Sequence, residues 1–170
     1  MENLRKVFLS CFLLISLFSN AQLSNEQLVA IFEKETQQIT GETGRWTMLY
    51  QNVPIIAITD EMANRMRIFM PIIKEKDIEE GGMKRMLEAN FDSALDAKYC
   101  IFEGLVISVF THSMDALTEE QLVDGMRQVV ILADNYGKNY SSTDLISTNE
   151  FDEKITPKIN QSPSKTGIKN

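Results

Sequence analysis

Apolar positions along the chain fall into runs with two spacings, near 3.6 and 2 residues, and the alternation of these runs predicts the fold. A first helix is expected over Leu23 to Gln38, where Leu28, Ile31, Phe32 and Ile39 recur as one stripe and Gly41 and Gly44 close the segment. Ser24 with Gln27 makes a capping box at its start, and Leu23 with Leu28 a hydrophobic staple. The box gives partners to backbone N–H groups that the first turn leaves bare. Three strands follow. Arg45 to Tyr50 is rich in aromatic and β-forming residues, Gln51-Asn52 makes a two-residue turn, and Val53 to Thr59 returns with Val53, Ile55, Ile56 and Ile58 apolar. Arg65 to Ile73 alternates, with Met66, Ile68, Met70 and Ile72 on one face and Arg65, Arg67 and Phe69 on the other. Pro71 has no N–H for a ladder, so this strand is expected to lie at an edge or to bulge there.

A second helix is expected from Ile78 to Ala94, with Asp77 as N-cap and Glu80 at N3, burying Met83, Met86, Leu87, Phe91 and Ala94. Gly81 and Gly82 each weaken its first turns by ~1 kcal/mol relative to alanine, so that end is expected to be loose or to begin late. A hairpin comes next, Ala97 to Phe102 and Leu105 to His112, joined at Glu103-Gly104. The third helix has Thr118 as N-cap, Gln121 completing the box and Leu117 with Leu122 as staple. Its buried face is expected to carry Leu122, Met126, Val129, Val130, Ala133 and Tyr136, with Gly137 just past its end. The element order is thus α-βββ-α-ββ-α. Strands joined by tight turns imply an antiparallel sheet with the helices packed on one face, an α+β class.

The two ends of the chain change this picture. Arg5 and Lys6 precede an apolar run from Val7 to Phe18, and small residues at Ser19 and Ala21 follow. That order is a bacterial signal peptide, residues 1–21, cleaved after Ala21. The apolar run is shorter than the ~20 residues a membrane helix needs, so no stable membrane anchor is expected once it is removed. The mature protein is therefore expected in the periplasm or secreted. Residues 22–145 are read as one domain. Residues 146–170 are read as a flexible polar and basic tail, which from Lys154 onward holds four lysines, two prolines and no acid.

Charge and chemistry narrow the function. Loss of residues 1–21 leaves 15 basic and 23 acidic residues, a net of −8. Such an acidic surface argues against nucleic acid, whose phosphates require lysine and arginine clusters. Cys100 remains without a partner for an intrachain disulfide and is expected to be buried as a small hydrophobe. His112 is the only histidine, so neither a zinc site nor a His-based triad can be assembled around a second one. The acid pairs Glu79-Glu80 and Glu119-Glu120 suit the first turns of helices, and Asp92 with Asp96 is a common spacing. No EF-hand loop, phosphate-binding glycine loop or HExxH occurs. No catalytic, cofactor-binding or metal-binding residues are assigned, and no cofactor is expected. Met66, Met70, Met83, Met86 and Met126 fall on expected core faces. If Met66, Ile68 and Met70 face the helices, Phe69 faces away, and Phe102 and Phe110 are placed with it as a candidate partner surface.

The order of elements resembles the type III secretion chaperone-like fold, including the Tir-chaperone (CesT-like) and YbjN-like domains. The resemblance rests on Arg65-Met66-Arg67-Ile68 with Pro71-Ile72, on Leu87-Glu88-Ala89-Asn90-Phe91 with Ala94-Leu95-Asp96-Ala97, and on Leu117-Thr118-Glu119-Glu120-Gln121-Leu122 through Arg127-Gln128-Val129-Val130. It implies a non-enzymatic domain that binds protein segments and often forms homodimers. The resulting expectation is an exported binding module for a protein or peptide client or a second copy. The alternative is a small-ligand carrier or enzyme with a pocket between helices and sheet.

Overall fold

The computed structural model describes residues 23–143, so the expected signal peptide and the tail from 146 lie outside the described residues. Three helices and six strands form in the order α1 (Asn25–Glu35), β1 (Gln38–Glu42), β2 (Arg45–Tyr50), β3 (Val53–Asp60), β4 (Arg65–Lys74), α2 (Gly82–Asp92), β5 (Lys98–Phe102), β6 (Leu105–His112) and α3 (Glu119–Asp134). A single 3₁₀ turn, Glu75–Asp77, precedes α2. The strands make one antiparallel sheet in the order β1-β2-β3-β4-β6-β5.

The α+β class and its layering agree with the expectation, with one strand more. The first helix stops at Glu35 instead of Gln38, and Gln38–Glu42 pairs with β2, Ile39 opposite Met48. Gly41 sits at φ 132° in this strand, and a Cβ there would stand 2.2 Å from the Arg45 carbonyl oxygen. Both capping boxes form. Gln27 N–H donates to Ser24 Oγ at 3.3 Å with the reciprocal bond at 2.9 Å, and the Thr118–Gln121 pair has 3.2 and 3.0 Å. At the β2–β3 hairpin Gln51 and Asn52 take φ 51° and 65°, the two positive values of a type I′ turn, whose twist matches that of the strands. β4 is central rather than at an edge, and it accommodates Pro71 by a register shift between Pro71 and Ile73.

The helix-covered face of the sheet holds the main core. Phe32 of α1 lies 5.8 Å from the Trp46 ring, and Leu28, Met48, Ile55, Ala57, Met66, Ile68, Val106, Leu122, Met126, Val129 and Leu132 are essentially closed to solvent. Polar side chains tie helices to sheet inside it. Ser108 Oγ donates to the Val129 carbonyl and Tyr99 Oη to that of Leu132, each at 2.7 Å. Buried Gln128 accepts from the N–H groups of Asp96 and Ala97 at 2.8 and 3.1 Å and donates to Asp124 at 2.6 Å.

The second helix departs from expectation. Asp77 closes the 3₁₀ turn instead of capping α2, which starts late, at Gly82, after Gly81 at φ 74°. The line it buries is Gly82, Met86 and Ala89. Met83, Leu87 and Phe91, expected in the core, point outward. Two polar clamps set this rotation. The Asn90 side chain accepts from Tyr99 N–H at 2.7 Å and donates to its carbonyl at 3.0 Å, which pins α2 to the outer edge of β5. The Lys98 ammonium caps the helix end, donating to the carbonyls of Asn90, Ala94 and Leu95 at 2.6–2.8 Å.

Candidate partner-binding surface

Pairing across the ladder decides which face each sheet residue occupies. Residues directly opposite in an antiparallel pair share a face. Ile56, Phe69 and Val109 are opposite one another along one row, and Ile58, Arg67 and Thr111 along the next. These rows lie on the face away from the helices. Phe69, Ile107 and Val109 form a second, smaller apolar cluster there, packed against Ile56, Ile58 and Leu105. Phe102, half-exposed at 50%, stands edge-on to Phe69 with ring centroids 6.4 Å apart.

The expected aromatic trio is therefore divided. Phe69 and Phe102 share the open face. Phe110 does not join them: it is opposite Ile68 and so faces the helices, 3% exposed. It fits under α3 because residue 125 is glycine, where a Cβ would stand 2.6 Å from the Phe110 ring. Run by run, Leu105 to Phe110 is apolar at almost every position, so the sequence carries no alternation to fix this parity. Only the pairing with β4 does. Among the described residues no helix crosses the open face. Arg45 and Arg65 lie on it opposite Glu42 and Asp60, whereas Arg67 has Ile58 and Thr111 across from it.

Cys100 is also here, opposite Ile107 on the edge strand, and is exposed rather than buried as expected. Partial burial of its thiol pushes the pKa up, which disfavours the reactive thiolate. His112 stacks on Phe110 with centroids 5.9 Å apart, and its Nδ1 lies 2.8 Å from the Ser113 carbonyl oxygen.

A second apolar surface lies on α2. Met83, Leu87, Phe91 and Leu95 are exposed by 44, 65, 85 and 52%, and Ile101 of the edge strand by 42%. Spaced four apart, Met83, Leu87 and Phe91 make a line along α2, and Leu95 follows just past its end. At its N-terminal end an open hollow of about 660 Å³ is bounded by Lys74, Ile78, Met83 and Gly104. The signal was present in part: α2 carries apolar residues on more than one face, and a helix can bury only one of them against a single sheet.

A small hollow of about 190 Å³ is bounded by Asp96, Phe110, Thr111, His112, Gln121 and Asp124. Both of its carboxylates are engaged by neighbouring side chains of α3. Arg127 donates to Asp124 at 2.7 Å, Gln128 donates to both Asp124 and Asp96, and these bonds hold the Asp124 carboxyl below its usual pKa. Among the described residues no group of three or more His, Cys, Asp or Glu side chains could hold a metal ion, and no helix is long and apolar enough to cross a membrane.

Against solved structures, this arrangement is similar to a chain of the HopA1-SchA chaperone-effector complex, with a TM-score of 0.52 and 16% identity over 65% of this chain and 91% of that one. The fold is chaperone-like. No protein-family model and no curated protein matches the chain.

Proposed function

We propose that this protein is an exported, non-enzymatic binding module that takes an apolar segment of a client protein on the open face of its sheet. The observation that carries this reading is the uncovered cluster of Phe69, Ile107 and Val109 with Phe102 half-exposed beside it. A solved protein of similar fold occurs in a chaperone–effector complex, which supports a protein client over a small ligand. Arg67, with no acid across the ladder from it, favours a client segment in which acidic residues flank apolar ones. The signal-peptide pattern supports export, and the family resemblance supports binding without catalysis.

Fluorescence anisotropy with labelled peptides of alternating apolar and acidic residues tests the surface. Binding is expected, and Phe102→Asp or Arg67→Glu is expected to weaken it by about tenfold, the equivalent of ~1.4 kcal/mol. Peptides that bind both variants as well as the parent place the client elsewhere. Light scattering over a concentration series separates a client from a second copy: a dimer dissociated by Phe102→Asp would give this face to self-association. N-terminal sequencing of the protein recovered from a bacterial envelope is expected to begin at Gln22, and an intact Met1 would refute cleavage.

A further inference from the structure

The charges on the open face are sorted by position as well as by sign. We propose that the client segment carries its carboxylates grouped beyond one end of an apolar run, where Arg45, Arg65 and Arg67 receive them together. This rests on the reading of the open face as the client surface and specifies the segment that it takes.

The shape of the apolar cluster comes first. Ladder pairing sets the open face out in rows across the strands. Arg45, Ile58, Arg67 and Thr111 make one row, and Ile56, Phe69 and Val109 the next. Ile107 with Cys100, then Leu105 with Phe102, make the two rows beyond. The apolar side chains therefore run diagonally, from Ile58 on β3 to Phe102 on β5. Three row spacings of ~6.7 Å and three strand spacings of ~4.8 Å make this band about 25 Å long. About eight extended residues cover that distance.

The second observation is where the cations stand. Arg45 and Arg67 lie on either side of Ile58, so their Cα atoms are about 10 Å apart, and Arg65 is two residues from Arg67 on the same strand, about 7 Å away. All three are exposed, and all three stand at the Ile58 end of the band. Lys74, opposite Leu105, stands at the other end. The rows of Phe69 and Ile107 between them hold no carboxylate. Their one cation, Lys98, turns its ammonium to the carbonyls at the end of α2.

The third is that the three guanidinium groups lack partners of their own. Among the described residues Arg45, Arg65 and Arg67 make no ion pair, although Lys34, Lys84, Arg85, Arg127 and Lys138 each do. Glu42 is opposite Arg45 and Asp60 opposite Arg65. The Asp60 carboxylate, however, accepts from Ala63 N–H at 2.9 Å and so closes the turn between β3 and β4. Three cations against two carboxylates leave this end positive on a chain of net charge −7. Arginine pairs carboxylates through parallel N–H bonds, and neighbouring acids engage such a group at once. Acids dispersed through the run would instead lie over Phe69 and Ile107, losing water and gaining no partner. Electrostatic fit therefore fixes the register of the segment as well as its sign.

Fluorescence anisotropy of the full chain with acetylated, amidated peptides tests the arrangement. The peptides share one composition, valine alternating with serine plus two glutamates. The glutamates stand together at the N-terminal end, together at the C-terminal end, or apart within the run. One of the grouped peptides is expected to bind about tenfold more tightly than the dispersed one at low ionic strength, and to lose that advantage in ~0.5 M salt. Arg45→Glu with Arg65→Glu is expected to remove the advantage, and lysines in place of the glutamates to restore tight binding to this variant. Lys84→Glu, on α2, is expected to change none of these affinities. Equal affinity for grouped and dispersed peptides overturns the proposal and leaves the client reading in place, as does an advantage that survives Arg45→Glu with Arg65→Glu. Failure of every peptide, an uncharged valine–serine one included, overturns both.

Discussion

α3 and α2 lie on the same face of one sheet and are held by opposite means. α3 presents Leu122, Met126, Val129 and Leu132, all closed to solvent, and its start is capped by Thr118 and Gln121. α2 has no side-chain cap at Gly81, buries Gly82, Met86 and Ala89, and is fixed by Asn90 and Lys98. An apolar stripe fixes a helix by amount of surface, which the residue pattern announces. A polar clamp fixes it by one geometry, which the pattern does not announce. Where the clamp decides, apolar residues are left outside, and α2 carries the exposed line for that reason.

The contrast can be broken by substitution. Met126→Ala should have the largest effect, a loss of about 2–5 kcal/mol in urea unfolding, because the site is fully enclosed and the cavity cannot collapse. Asn90→Ala leaves the outward N–H and carbonyl of Tyr99 without their partner, at about 1–3 kcal/mol. Its effect should be confined to faster hydrogen exchange over Gly82–Asp92 and Lys98–Phe102. Equal loosening of α3 would show that the two helices are one cooperative unit and end the comparison. Thr118→Ala should lower stability by about 1 kcal/mol, the usual value of an N-cap.

The smallest effect is expected from pH. The Asp124 carboxyl is held low by Arg127 and Gln128. A lowered native pKa contributes stability that is present above the unfolded value of ~3.9 and is lost as pH falls through the native one. Asp124→Asn should therefore show a smaller fall in stability between about pH 6 and about pH 3 than the parent. An unchanged fall would mean that this carboxylate has no linkage to folding.

The same contrast explains what could be read from the chain beforehand. The starts of α1 and α3 were readable because a capping box is local, complete within six residues. An edge or a bulge is expected at Pro71 because a missing N–H is a property of one residue, and of the two it is the bulge that forms. β1 is not legible in the sequence, since Gln38-Ile39-Thr40-Gly41-Glu42 has a single large apolar residue and acquires its strand from β2, not from its own pattern. The alternation of β4 puts Phe69 on the open face, whereas Phe110, in a run that is apolar at almost every position, depends on a partner strand that no local rule identifies. Asn90 and Gln128 belong to residue types that are ordinarily exposed, so their roles as clamps appear only with the tertiary contacts.

Strand order has a consequence in time as well as in space. β4 pairs on one side with β3, its neighbour in the chain, and on the other with β6, whose last residue, His112, lies opposite Met66. Until residue 112 has left the ribosome, the open side of β4 is an unprotected template bearing Ile68, Phe69 and Met70. Non-local pairings of this kind form late and are the slow steps of β-rich domains. The nascent chain is most vulnerable to wrong edge-to-edge pairing in the interval between synthesis of β4 and arrival of β6. A holding factor that grips unfolded chains would protect this protein most during that interval.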